Sequence, residues 1–492
     1  MNFLTNYIDY NLNESYIRTP TCRWIFKILL LNQSLTYFRF QEYSEEVNYT
    51  VNDTQDSNHD IVIEQEIVKV TDNNCPQEHR ETVLGEPNIK AVHNEEEKKE
   101  DFEQEEKEKT VVIEDFQAVN NEKAESEKYE KLCYEWTAPK LICKASNEFK
   151  PSDICESFAK GCHWSPDGTC ILVPTEDFKV KIFDVPRDLY GGVLPEDFQM
   201  LNLESSLKIK EGGTVYDTCW FPYMSSWDSS TCCFLSTSQG SPVHLWDALT
   251  GQLRATYRAY NLVDEVEAAI SVYFANFGGQ IWSGFKNALR VFDTNQPGRQ
   301  ISNIFLKKDF PNVSGLVSCI RENPEMPGLM AFGTYSKCIG LYKDGPICTF
   351  QAGSGVTQVE FSQCGTKLYS TVRRNGELLC WDLRNPGAVL HCLGDRQSDT
   401  NQRIWFDLAF NGEEIVSGGT DGLVRLWKIT SDQPIDEDIC PTYKIKISKD
   451  CVNGVSLHKN LPLLATSTGE RKFDDEGSII RDNSLCFYWL NR

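Results

Sequence analysis

The chain has 492 residues, 40% of them hydrophobic and 25% charged, with a formal net charge of −23. This composition suits a soluble protein with at least one large core, and the charge taken whole argues against a nucleic-acid ligand. Its distribution removes that argument: residues 1–138 hold 30 acids and 14 bases, whereas residues 139–492 hold 42 acids and 35 bases.

The one apolar run of the N-terminal part, Trp24 to Leu31, is interrupted by Lys27. A membrane span needs about 20 apolar residues, and no small-residue cleavage site follows, so neither insertion nor secretion is expected. From residue 41 to about 135 apolar periodicity is lacking, and Asn94 to Lys109 is a mostly acidic run. Such sequence cannot bury enough surface to offset its ordering entropy, so residues 1–135 are expected to be disordered. The 19 cysteines include no C-x-x-C. That spacing excludes zinc-finger and thioredoxin-like sites and points to buried, reduced thiols in an intracellular protein.

From about Ala138 the texture changes to short strands and turns. An alternating strand ending in an aromatic recurs seven times, at Phe183, Trp246, Phe292, Tyr342, Trp381, Trp427 and Trp489. The intervals run from 39 to 63 residues, against about 40–45 for a four-stranded WD-type blade, so the two longest contain insertions. Turn pieces such as "SPDG" and "SQCG" separate the preceding strands. The expected fold is all-β, a seven-bladed WD-type β-propeller over residues 136–492. The last repeat ends on its third strand. The missing fourth strand is assigned to Lys140–Ser146, which closes the ring and covers a sheet edge.

In this architecture the loops between second and third strands share a face with the loops leading into the first strands. Those loops carry Lys286, Lys337, Arg373, Arg374, Arg471 and Lys472, together with Arg258, Tyr260, Asn261, Asn401, Gln402, Arg403 and Trp405. Cations answer phosphates, flat rings stack on splayed bases, and amides read base edges, which is the chemistry of single-stranded RNA binding. Protein docking, the commoner use of such a face, stands beside it. Ser417, Asp421 and Trp427 fit the structural hydrogen-bond chain of a WD blade, whose Gly-His pair is absent throughout. His163 and His244 fall inside strands and read as core or channel residues. No catalytic constellation, phosphate loop or metal spacing is present, so no enzyme activity, cofactor or metal is expected.

The segments "FAKGCHWSPDG", "HLWDALTGQLRATYRAYNLVDE", "RVFDTNQPGR", "ELLCWDLR", "TNQRIWFDL" and "KDCVNGVSLHKNLPLLATSTGER" resemble the telomerase Cajal body protein family of nuclear WD-repeat proteins. The resemblance covers roughly Phe158 to Lys472. It implies recognition of the CAB box in H/ACA-type small Cajal-body RNAs, and of telomerase RNA where that RNA carries the box. It implies retention of these ribonucleoproteins in Cajal bodies, with H/ACA core proteins and Cajal-body scaffold proteins as partners and a role in telomerase trafficking and telomere maintenance. Neither DNA nor a membrane is an expected partner. A nuclear location rests on the resemblance, since no basic import cluster stands out. The alternative is a substrate receptor of a cullin-type ubiquitin ligase, suggested by the W-D-x-R piece Trp381 to Arg384, which the neighbouring blades do not repeat.

Overall fold

The computed structural model describes residues 134–150, 156–410, 412–429, 438–472 and 481–491. The disorder expected before residue 134 lies outside the described residues.

Strands of two to six residues pair antiparallel into seven four-stranded blades, with strands a to d in order from the ring's centre outward; Leu201–Asn202 and Asp438–Ile439 add a short parallel strand outside blades 7 and 5. Blade 1 is His163–Trp164, Cys170–Pro174, Lys179–Asp184 and Leu207–Lys210. Blade 2 is Val215–Trp220, Cys233–Ser238, Val243–Asp247 and Leu253–Tyr257, and blade 3 is Ser271–Ala275, Gln280–Phe285, Ala288–Asp293 and Ser302–Phe305. Blade 4 is Val317–Glu322, Met330–Thr334, Cys338–Tyr342 and Pro346–Gln351, and blade 5 is Val356–Phe361, Lys367–Val372, Leu378–Asp382 and Ala388–Leu393. Blade 6 is Phe406–Leu408, Glu414–Ser417, Leu423–Lys428 and Tyr443–Lys446. Blade 7 is Val452–Leu457, Leu463–Thr468, Leu485–Trp489 and, from the other end of the chain, Lys140–Ala145. Each recurring aromatic sits on a strand c, as its spacing predicts.

The closing strand pairs antiparallel with Leu485–Trp489, from Lys140 opposite Trp489 to Ala145 opposite Leu485. The chain already joins the ring ahead of it. The Glu135 N–H donates to the Leu490 carbonyl at 2.6 Å, and Trp136 is buried between blades 6 and 7.

Apolar faces of neighbouring blades meet in clusters. Phe183 and Trp489 share the one between blades 7 and 1, and Trp427 lies between blades 5 and 6. Phe350 and Trp381 stack at 5.5 Å between blades 4 and 5. A fully buried side chain of this size contributes about 1.5–3 kcal/mol, and no blade could bury it alone. Two close approaches demand glycine. Gly161 has φ +134°, and a Cβ there would lie 2.3 Å from Trp405 Nε1. A Cβ on Gly454 would lie 2.7 Å from Gly161 Cα.

The fifteen described cysteines are unpaired, and most are buried. Burial pushes the thiols of Cys143, Cys162 and Cys170 up to about 12.

The blade hydrogen-bond chain forms in blade 2 rather than in blade 6. Trp246 Nε1 donates to Ser236 Oγ and Glu211, and Glu211 also meets Ser238 and His244. Burial opposes the Glu211 charge, but hydrogen bonds from His244, Ser236 and Trp246 outweigh it and hold the carboxyl near 2. In blade 6 Asp421 is taken by Arg425 at 2.7 Å. Trp427 Nε1 donates instead to the Gly394 carbonyl, and Ser417 Oγ to backbone. Arg425 stands two residues before Trp427, where blade 2 has His244 before Trp246, and the bidentate carboxylate pair replaces the imidazole link.

Candidate nucleic-acid interface

The loops from strand b to strand c and those leading into strand a emerge at one end of the propeller. Several of the sequence-selected cations meet there in a continuous arc over blades 3 to 7. Lys286 occupies a two-residue turn with Asn287, whose left-handed φ of 60° suits its residue type. Lys286 bridges to Leu316, and the Leu316 carbonyl accepts from Tyr335 N–H. The guanidinium of Arg373 lies 3.5 Å from the Tyr335 ring centre, which ties the loops of blades 4 and 5 together and places Lys337 two residues from that contact. Arg374, at φ 53°, donates its N–H to the Thr400 carbonyl. Gln402 Oε1 then accepts from Arg471 N–H. Lys286, Lys337 and Arg374 are exposed and Arg373 is half-buried. Glu377 in the same loop as Arg373 hydrogen-bonds with Asn375.

Other members of the expected set have different neighbours. Arg471 pairs with Glu176, and Lys472 pairs with Asp450 at 2.8 Å and Glu470 at 2.6 Å. Arg403 turns into the channel. Its Nη1 meets Asp217 of blade 2 at 3.2 Å, and its Nη2 donates to the Ser318 carbonyl of blade 4 at 2.6 Å. Its guanidinium lies 4.6 Å from the centre of Trp405. Trp405 is buried, donates to the Lys160 carbonyl and packs edge-on against His163 at 4.5 Å. It is therefore placed as ring packing rather than as an open stacking surface. His163 is held down to about 3 by burial first, then by Arg321 and Arg403.

Arg258, Tyr260 and Asn261 leave the arc. After blade 2 the chain folds into a small hairpin, Ala259–Tyr260 against Val266–Glu267. That hairpin is anchored on the connection between strands c and d of blade 3. Arg258 N–H donates to the Gly298 carbonyl at 2.7 Å, and the Gln300 side chain bonds Tyr260 N–H at 2.9 Å and its carbonyl at 2.8 Å. Arg299 stacks over the Tyr260 ring at 4.7 Å. Asn261 Oδ1 accepts from Val263 and Glu265 N–H and so shapes the hairpin tip, whose Leu262 and Val263 are exposed.

No known family profile matches the chain. The mouse protein named telomerase Cajal body protein 1 is 40% identical over 380 residues, 74% of this chain and 69% of its own length. The chain belongs to the telomerase Cajal body protein family. The human member is 41% identical over 343 residues, 68% of this chain and 61% of its own. The fruit-fly homologue is 38% identical over 338 residues, covering 66% and 60%. The chain thus spans somewhat over half the length of these relatives. Membership in the telomerase Cajal body protein family does not favour the ligase-receptor alternative. In blade 5 Arg384 is held by Asp382 of the same signature at 2.9 Å.

Sequence reasoning missed Arg290, Arg299 and Asn303 beside the hairpin, and Arg321 in the channel. Arg321 pairs with Glu360 at 2.7 Å and lies over Tyr273. The available signal was a charged residue inside an otherwise apolar inner strand, "VSCIRE".

Proposed function

We propose that this chain is an RNA-binding WD-repeat protein of the nucleus that recognises the CAB box of H/ACA-type small Cajal-body RNAs, and of telomerase RNA where that RNA carries the box. Its role is to localise the ribonucleoprotein to Cajal bodies and to support telomerase trafficking and telomere maintenance. H/ACA core proteins and Cajal-body scaffold proteins are its protein partners. It performs no catalysis.

The observation that carries this reading is the 40% identity to the mouse protein, over a stretch long enough to include most of the propeller. The arc of Lys286, Lys337, Arg373 and Arg374 supports it. Lys286, Lys337 and Arg374 are exposed and can meet phosphates of a single strand, while Arg373, packed on Tyr335, adds positive charge beside them. Crosslinking the endogenous protein and sequencing the bound RNAs tests the reading. Enrichment of box-carrying H/ACA RNAs is expected. A bound population without them, or recovery of a ligase adaptor and no small RNA, overturns it.

A further inference from the structure

Between the 259–267 hairpin and the outer strands of blade 3 lies a pocket of about 250 Å³, lined among others by Tyr260, Asn261, Arg290, Arg299, Gln300 and Asn303. This is smaller than the roughly 300–1,000 Å³ of sites that enclose whole small molecules. It suits one planar group.

Its hydrogen-bonding capacity is one-sided. Gln300 is spent on the Tyr260 backbone, and Asn261 Oδ1 on the hairpin tip. Arg290 is 3% exposed and lies 4.2 Å from the Phe285 ring centre. Its Nε donates to Asn303 Oδ1 at 3.2 Å and its Nη2 to Glu267 at 2.5 Å, but its Nη1 has no partner. An unpartnered donor on a buried guanidinium is costly and calls for an acceptor. Asn303 is exposed, and because its Oδ1 accepts from Arg290, its Nδ2 is left to donate. The remaining capacity is therefore mostly N–H.

The charges are already balanced. Glu267 neutralises Arg290, and Asp264 pairs with Arg299 at 2.6 Å. A donor-rich but neutralised pocket favours a neutral acceptor over a phosphate. The Arg299–Tyr260 pair adds a guanidinium plane of the kind on which splayed bases stack.

We propose that this pocket receives a single unstacked base of the bound RNA, with a carbonyl oxygen facing the exposed Asn303 Nδ2 and its ring set against the Arg299–Tyr260 pair. The inference rests on the RNA reading above. It divides the labour: the arc holds phosphates without regard to sequence, and the pocket under the hairpin reads one base.

The test uses the full chain and two labelled RNA hairpins, one with the CAB box in its loop and one with the box scrambled. Affinity is measured at several salt concentrations by fluorescence anisotropy. Asn303→Asp keeps the acceptor for Arg290 and removes the donor, and Asn303→Ala removes the donor without adding charge. Both are expected to weaken the boxed RNA roughly tenfold, the scale of one lost hydrogen bond in a desolvated site. The scrambled RNA and the salt slope should stay as in the wild type for Asn303→Ala, and the melting midpoint should stay so for Asn303→Asp, which keeps the Arg290 acceptor. If both variants bind the boxed RNA like the wild type, the pocket inference falls and the RNA reading stands. Equal weakening of the boxed and the scrambled RNA by Asn303→Ala places a phosphate there and overturns the base assignment. Failure of the wild type to bind either RNA overturns the RNA reading itself and leaves the pocket to a protein side chain.

Discussion

Arg403 separates two roles that sequence alone merges, a phosphate ligand and a brace across the channel. Its side chain is 14% exposed and that of its partner Asp217 is 4% exposed. Removing one member of a buried pair costs about 3–5 kcal/mol, chiefly because the other charge is stranded. The lower end applies here, since Asp217 Oδ2 keeps the Val272 N–H at 3.1 Å. Arg403→Met is therefore expected to lose about 3 kcal/mol, a shift of about 1 M in the urea midpoint if m is about 3 kcal/mol/M. Adding Asp217→Asn removes the stranded charge and should recover most of that loss. The salt slope of RNA binding should not change in the folded single variant. A single variant as stable as the wild type whose salt slope falls by about 0.7 would refute the brace and make Arg403 a phosphate contact.

The double variant Arg373→Glu/Arg374→Glu should weaken every RNA and flatten the salt dependence by up to about 1.4, since each lost single-strand phosphate contact removes about 0.7; affinities at four salt concentrations check this. A chain beginning at residue 134 should melt cooperatively and bind RNA. One beginning at 147 loses buried Trp136 and Ile142, about 3–6 kcal/mol by transfer alone, and equal urea midpoints for the two would count against the closure. His163 stays neutral in the fold down to about 3, while the unfolded chain takes up its proton near 6.5. The stability this supplies is complete above about pH 6.5 and is lost as pH falls towards 3. His163→Gln should lose less stability between pH 7 and 4.5, judged by urea midpoints. Asp407, which burial raises to about 7, works in the opposite sense in both proteins.

The ring itself was legible because its signal is local and repeated. An aromatic closes every strand c, and the missing fourth strand of the last blade pointed to Lys140–Ser146. The reach of the site was less so. That Arg403 turns inward depends on Asp217, 186 residues earlier, and on a Ser318 carbonyl; no window of "TNQRIW" contains either. The hairpin after Tyr257 breaks the rule that a lead-in loop stays on its face, because Gln300 captures Tyr260 from another blade's connection. The displaced chain in blade 6 turns on Arg425, a strand residue whose partner is chosen by geometry. Lys286, Lys337 and the Arg373–Arg374 pair were found because short hairpin turns leave a side chain nowhere to go but outward.

The closing strand also sets a clock. Lys140 is made 349 residues before its partner Trp489, and at about 5–20 residues per second the ribosome needs roughly 20–70 s to cover that distance. During that interval blades 1 to 6 accumulate without a closed ring, and the first strand shows an unpaired edge with Ile142 and Cys143, both buried in the finished protein. An edge of that kind recruits any extended segment that meets it first. Newly made chains are thus most vulnerable to mispairing until Leu485–Trp489 has been synthesised, and conditions that slow elongation ahead of that strand lengthen the exposure without altering the folded protein at all.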